Sequence, residues 1–370
     1  MVIGIDARLW SQTGVGRYIR NLVINLQEID KRNSYVLFVG NKDCENVKSQ
    51  ISNSKWKIIT TDIKWHTVSE QIKFASVLNK EKLDLVHFPY FSVPIFYNKP
   101  FVVTIHDLIV HHFPTGKAST LAFPIYELKL IAYKLVIKKA AEKAKKIITV
   151  SNATKDEVVD HLGVSGEKIT VIYNGLDKNL SGVSKTEQLI KDPYFLYVGN
   201  AYPHKNLERL LSAFSKFLLN NKNTKLVLVG REDYFYKRLK NRVKTLKLEN
   251  SLIFYQEADD KKLVNLYSHA LALIMPSLME GFGLPALEAM ANSCLVLASD
   301  IPSLKEICQD AAIYFNPQDV NDMEEKLELA AQNPKSKNEL IKKGLERGLI
   351  FSWEKSAKAT LQVYESCLSL

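Results

Sequence analysis

Leu271-Ala-Leu-Ile-Met-Pro-Ser-Leu-Met-Glu-Gly-Phe-Gly-Leu-Pro-Ala-Leu-Glu-Ala-Met-Ala291 reads as a strand, a glycine-rich loop and a helix in direct succession. The apolar run Leu271–Met275 is of strand length and ends at a proline, the mark of a strand buried on both faces. Pro285 suits the first position of a helix over about 285–292, where its missing N–H costs nothing. A buried strand that passes straight into a helix is the repeating unit of a parallel sheet covered on both sides.

The same alternation runs outward in both directions. Downstream of about residue 193, strands are expected at Tyr194–Val198, Lys225–Val229, Leu252–Tyr255, Leu295–Ala298 and Ala312–Phe315, with helices near 206–219, 235–247, 259–269 and 319–332. Upstream, Val2–Asp6, Tyr35–Val39, Trp56–Thr60, Leu85–Phe88, Phe101–Ile105, Lys146–Val150 and Ile169–Ile172 are strand-like, and 16–28, 68–79, 124–144 and 152–162 helical. Between the halves, 178–192 is polar and lacks apolar periodicity, which marks a linker. Two helical stretches, about 334–349 and 353–368, close the chain without a following strand. The fold class is therefore α/β, with two Rossmann-like domains, 1–177 and 193–352, expected to face each other across a cleft. The last helix, about 353–370, is expected to cross back to the first domain.

A chain of 370 residues with 46% hydrophobic content can bury cores for two such domains. Its four cysteines, at 44, 294, 308 and 367, have neither disulfide-framework nor metal spacing, which points to a reducing, cytoplasmic compartment. The start Met-Val-Ile-Gly-Ile-Asp has no signal-peptide pattern and no apolar run reaches the roughly 20 residues of a membrane span, so a soluble or peripheral protein is expected. The net charge of +10 speaks of anionic partners rather than of fold.

The loop of the opening stretch carries the chemistry. Amides of Gly281, Phe282, Gly283 and Leu284 gather at a helix N-terminus, which suits an anion such as a diphosphate. Glu280 ahead of them and Glu288 one turn into the helix can accept hydrogen bonds from sugar and ribose hydroxyls. Two glutamates eight apart are common by chance; the Gly-Phe-Gly-Leu-Pro insert between them is not.

That segment resembles the Glu-x7-Glu motif of the retaining glycosyltransferases of family 4, which have the GT-B fold. Further matches follow in order: Ile3–Arg8 with Thr13–Tyr18, Thr104–Leu108, Val150–Ala153, Val171–Gly175, Tyr197–Asn200 with His204–Asn206, and Phe351–Trp353. The set most resembles bacterial enzymes that build O-antigen, capsule or other surface polysaccharides, several of them mannosyltransferases. The resemblance implies an N-terminal acceptor domain, a C-terminal donor domain, and hexose transfer with retention from a nucleoside-diphosphate sugar, GDP-mannose or a UDP-sugar, without cofactor or metal. The acceptor would be a glycan or a polyprenyl-diphosphate-linked intermediate.

The resemblance also assigns residues. Lys205 would neutralise the leaving diphosphate, and His106, at the carboxyl end of a strand, would contact the donor sugar. Gly14 and Gly16 would line the donor phosphates; with Ile19 where a third glycine is needed, they do not make a dinucleotide fingerprint. His204 stands where the family commonly has arginine, as does Asn200 in some members, so fewer fixed positive charges are available. Gln256 and Ser293 replace glycines of many relatives. Asp107 either orients His106 or caps the next segment. Asp259 is expected to cap a helix rather than hold a metal, and His111 with His112 finds no second ligand set by spacing, so no metal is assigned.

The basic stretch 124–146 interleaves Leu128, Leu130, Ile131, Leu135, Val136 and Ile137 with seven lysines. It reads as an amphipathic helix that packs on the core or touches an anionic membrane, at about 1 kcal/mol per lysine near the surface. Nucleic acid is not expected, since no binding motif accompanies the charge. Rival readings are an epimerase or phosphorylase of the same fold and a catalytically silent sugar-nucleotide binder.

Overall fold

The computed structural model describes residues 1–114, 123–182, 184, 186–256, 258–332 and 334–367. The chain divides into two compact units, Met1–Gly175 with Ser352–Leu370, and Leu176–Phe351.

The first unit is built on a seven-stranded sheet of β1 (Val2–Asp6), β2 (Ser34–Val39), β3 (Trp56–Thr60), β4 (Leu85–Phe88), β5 (Phe101–Ile105), β6 (Lys146–Thr149) and β7 (Ile169–Val171), in the order β3-β2-β1-β4-β5-β6-β7. Its strand pairs are parallel, for example Ile3 beside Tyr35 and Leu85. β1 and β4 are neighbours where the order reverses, and such a switch point opens a crevice at the carboxyl ends of the strands.

The second unit repeats the plan with β8 (Tyr194–Val198), β9 (Lys225–Val229), β10 (Leu252–Tyr255), β11 (Ala272–Met275), β12 (Val296–Ser299) and β13 (Ala312–Phe315), ordered β10-β9-β8-β11-β12-β13. Here the switch lies between β8 and β11, which pair in parallel at Leu273 and Leu196.

The C-terminal helix Trp353–Ser366 belongs to the first unit. Trp353, Ala357, Val363 and Tyr364 are buried in the core with Tyr18 and Leu22 of the helix Gly14–Ile29. Its docking is polar as well as apolar: Tyr364 Oη lies 2.6 Å from His87 Nδ1, and His87 Nε2 lies 2.8 Å from Thr104 Oγ1. Gly175 permits the crossing, because a Cβ there would fall 2.0 Å from the Trp353 nitrogen.

Residues 178–192 do not hang free. Leu180 and Ile190 are buried in the second core beside Tyr194 and Leu266, and Asn292 Nδ2 donates to the Leu180 carbonyl at 2.6 Å. Two apolar anchors in a polar stretch suffice to seat it, and anchors so far apart produce no helical or strand period. The basic helix spans Phe123–Lys143, so Lys145 lies beyond it and Lys146 opens β6. Only its second half packs, through Ile137, Ala140 and Ala141; Ile125, Leu128, Ile131 and Leu135 are exposed, Leu128 by 72%. The first half thus turns an apolar stripe outward instead of packing it on the core.

Candidate functional site

In the second unit, the loops after β8 and β11 converge at the switch point. The first carries a tight turn, Pro203–Lys205, and then Asn206 in the left-handed region at φ 59°. Asparagine tolerates that conformation, and its short amide ties loops together: Asn206 Nδ2 donates to the carbonyls of Pro276 at 3.0 Å and Pro317 at 2.7 Å. The Leu278 amide donates to the His204 carbonyl at 2.8 Å. Beneath, Tyr197 Oη donates to the Asn200 carbonyl and Tyr236 Oη to that of Gly199, at 2.5 and 2.8 Å.

This fastening brings Lys205 Nζ to 2.6 Å from Glu280 Oε1, and Ser277 Oγ to 2.7 Å from the same oxygen. Both side chains of the ion pair are largely buried. Burial alone would raise the Glu280 carboxyl, but the Lys205 ammonium and the Ser277 hydroxyl outweigh it and hold the group below its usual range. His204 is pushed down to about 4, by burial first and then by Lys205, so it is neutral at pH 7. The departure from arginine at this position therefore leaves Lys205 as the cation beside Glu280.

Glu280 is followed by Gly281, Phe282 and Gly283, and the helix Leu284–Ala291 begins immediately after. Gly283 has φ 99°, and a Cβ there would meet Leu304 at 2.7 Å, so glycine is required. The Phe282 ring is buried edge-on against Phe351, with centroids 5.7 Å apart, and its contribution to a ligand is limited to the backbone. The first-turn N–H groups of Leu284–Ala291 lack intrahelical acceptors by construction. Glu288 is buried, and its Oε2 accepts from Tyr267 Oη at 2.8 Å. Asn200 turns on itself, its Oδ1 accepting from the Tyr202 amide at 3.3 Å.

The first unit holds the remaining expected residues. His106 follows β5; its Nε2 lies 2.9 Å from the Pro89 carbonyl and its ring stands edge-on to Tyr18 at 4.9 Å. A carbonyl only accepts, so Nε2 carries the proton and Nδ1 the lone pair. Burial lowers His106 to about 4, which keeps that neutral tautomer. Asp107 caps, its Oδ1 accepting from the Ile109 amide at 3.0 Å. Gly16 lies within the helix Gly14–Ile29, where a Cβ would come 2.5 Å from the Trp10 carbonyl; its local reason is close packing, while Gly14 has open space. Asp259 caps the helix Asp260–His269 through the Lys262 amide at 2.8 Å.

Sequence reasoning gave no site role to Ser277, Tyr267 or Asn206, although Ser277 and Asn206 lie within the motif stretches it singled out.

The model of glycosyl transferases group 1 matches residues 184–347, and that of glycosyltransferase family 4 matches residues 12–180. Together they take in nearly all of both units. The chain is a glycosyltransferase, with a family 4 domain followed by a group 1 domain. An O-antigen chain mannosyltransferase of Salmonella typhimurium is 28% identical over 327 residues, which cover 86% of this chain and 87% of that protein. O-antigen chain mannosyltransferase B of Escherichia coli is 25% identical, over 95% of this chain and 96% of its own. Among solved structures, the sucrose-phosphate synthase of Thermosynechococcus elongatus superposes with a TM-score of 0.82 at 21% identity, over 100% of this chain and 99% of its own. Anabaena HepE in complex with UDP-glucose reaches 0.76 at 16%, over 99% and 100%. These structures fix the fold of the glycosyltransferase as GT-B. The matched models describe transferases, and neither speaks for an epimerase, a phosphorylase or a silent binder. Among its described residues, no helix is long and apolar enough to cross a membrane.

Proposed function

We propose that this glycosyltransferase moves a hexose, mannose in the first instance, from a nucleoside-diphosphate sugar to a hydroxyl of a growing surface glycan or a polyprenyl-diphosphate-linked acceptor. The O-antigen mannosyltransferases it resembles support the sugar and the pathway class, and HepE with UDP-glucose supports a nucleotide-sugar donor. The observation that carries the reading is the Lys205–Glu280 pair on the loops flanking the β8/β11 switch.

In this reading the donor diphosphate takes Lys205 and the first-turn amides near Gly281–Leu284, Glu280 accepts from sugar hydroxyls, and Glu288 from the ribose diol. His106, in the first unit, keeps a neutral imidazole whose Nδ1 lone pair can accept from a hydroxyl. The acceptor oxygen bonds to the anomeric carbon on the face that the diphosphate leaves. As the carbon–phosphate-oxygen bond breaks, the acceptor proton passes to the departing diphosphate, whose charge Lys205 and the amides stabilise. Configuration is retained, and no metal is required.

The exposed stripe Ile125, Leu128, Ile131 and Leu135, with Lys129, Lys134 and Lys138 beside it, supports peripheral attachment to an anionic leaflet facing the cytoplasm. Lys143 takes no part, since its Nζ is held by Ile95 and Asn98.

Transfer is tested by incubating the purified chain with GDP-mannose, UDP-glucose and UDP-N-acetylglucosamine, each with lipid-linked acceptor, in EDTA. An α-linked product from an α-linked donor supports the reading; an inverted product, or turnover abolished by the chelator, refutes retention or metal independence respectively.

A further inference from the structure

Three side chains outside the proposed reaction converge on the first unit. His112 ends the short helix Ile109–His112, while Glu157 and His161 lie one turn apart on Asn152–Leu162. His112 Nε2 is 2.5 Å and His161 Nε2 3.3 Å from one and the same oxygen, Glu157 Oε2. The donor atoms of all three lie within 4.8 Å of one another. The two imidazoles stand edge-on, at 88° with centroids 4.8 Å apart, so they aim at the carboxylate instead of stacking on each other.

Helix Asn152–Leu162 is well defined, with Ser151 accepting from the Thr154 amide at one end and Gly163 at φ 66° closing the other. Glu157 and His161 at i and i+4 are thus held on one helix face. The third ligand comes from a different element, which is the arrangement that lets an ion clip two segments together.

Two imidazole nitrogens and a carboxylate oxygen form a donor set for a borderline ion such as Zn2+, Ni2+ or Co2+, and a poor one for Mg2+ or Ca2+, which take oxygen. Ligands about 2.0–2.1 Å from a tetrahedral ion lie about 3.3 Å apart. The His161–Glu157 separation already has that value; His112 needs to withdraw from Glu157 by less than an ångström, and the two imidazole nitrogens, within 4.8 Å of each other, to settle at the same spacing. The three side chains are each about one-third to two-fifths exposed, which leaves room for that movement and a path from solvent.

His111, the neighbour of His112, is engaged elsewhere: its Nδ1 lies 3.0 Å from Tyr133 Oη. It stands beside the cluster, its ring centroid 6.1 Å from that of His161.

We propose that His112, Glu157 and His161 bind one divalent transition ion of the Zn2+ class, with the fourth position left to water. The ion braces the segment after β5 against helix Asn152–Leu162. That helix already holds the same segment at its other end, where Thr154 Oγ1 donates to the His106 carbonyl at 3.2 Å. The ion takes no part in transfer chemistry.

The test uses the full chain, freed of any affinity tag and stripped with EDTA, titrated calorimetrically with Zn2+ and followed by Co2+ absorption. One equivalent of Zn2+ is expected, with tetrahedral Co2+ bands and a rise in Tm on loading. His112→Ala, His161→Ala and Glu157→Gln each weaken binding at least tenfold and lose the Tm rise, while their metal-free Tm stays at the wild-type value, which separates lost ligation from lost folding. Absence of saturable binding in the wild type, or unchanged affinity in the His112→Ala/His161→Ala double variant, overturns the assignment.

Discussion

Lys205 and Glu280, 75 positions apart in sequence, are each other's nearest charged partner in the second unit, with Nζ 2.6 Å from Oε1. The pair keeps Glu280 ionised in a place where burial opposes charge. It also means that a diphosphate arriving at Lys205 competes with, or joins, an existing salt bridge.

Removing the ammonium exposes both roles. Lys205→Met is expected to lower kcat/KM by about 10²–10³, the scale of one lost oxyanion-stabilising group. It should also raise the Glu280 pKa, because desolvation then goes unopposed. A lowered carboxyl pKa contributes stability that is full above the unfolded value near 4.5 and lost as pH falls through the lower folded value. Urea unfolding from pH 7 to 3 should therefore show the wild type losing this contribution only at the acid end. The variant should have lost it already at higher pH.

Acid should destabilise the fold from near neutrality through its histidines. Burial lowers His87 to about 3 and His66, His106 and His204 to about 4. Between those values and 6.5 the unfolded chain binds more protons, so stability falls as pH falls through that window. The slope is about 1.4 kcal/mol per pH unit for a fully buried histidine such as His87. Denaturant midpoints at pH 7.5, 6.0 and 5.0 measure it, and a flat profile contradicts burial of neutral imidazoles.

The same shifts shape the rate profile. His106 and His204 remain neutral across the working range, so log kcat/KM should show no histidine limb near pH 6.5. His106→Ala should lower transfer about 10²-fold while the thermal transition stays cooperative.

Backbone strain offers a gain. Ser293 sits at φ 56°, a region that glycine adopts without strain, and Ser293→Gly is expected to stabilise by about 1 kcal/mol. Gly283→Ala should do the opposite, at φ 99° against Leu304, and should lose donor binding with it. Denaturant titration of the two variants reads both signs.

Tyr364→Phe should leave His87 Nδ1 without its partner in the core and cost about 1–3 kcal/mol, with hydrogen exchange rising in the C-terminal helix.

Much of this architecture is legible in the chain. Strands buried on both faces are near-continuous apolar runs, and the runs at Tyr194–Val198 and Ala272–Met275 stand out for that reason. Helices were legible where apolar periodicity was long. Cys44–Gln50, with Val47 as its buried residue, and the short Pro302–Cys308 offer too few turns for a period to emerge. The loops were legible as chemistry but not as partners: that Glu280 meets Lys205 is decided by strand order, which places β8 beside β11, and that Glu288 meets Tyr267 by the packing of the two helices that flank β11. For the same reason, His112 shows its ligand set only after β5 and β6 are laid side by side.

The donor assignment is tested most directly by calorimetric binding of nucleoside diphosphates and of the intact nucleotide sugar to wild type, Lys205→Ala and Glu280→Ala. Lys205→Ala should weaken both ligands at least tenfold, whereas Glu280→Ala should weaken the nucleotide sugar far more than the nucleoside diphosphate. Equal affinity of wild type and Lys205→Ala for the nucleoside diphosphate would contradict the placement of the diphosphate at the β8/β11 switch.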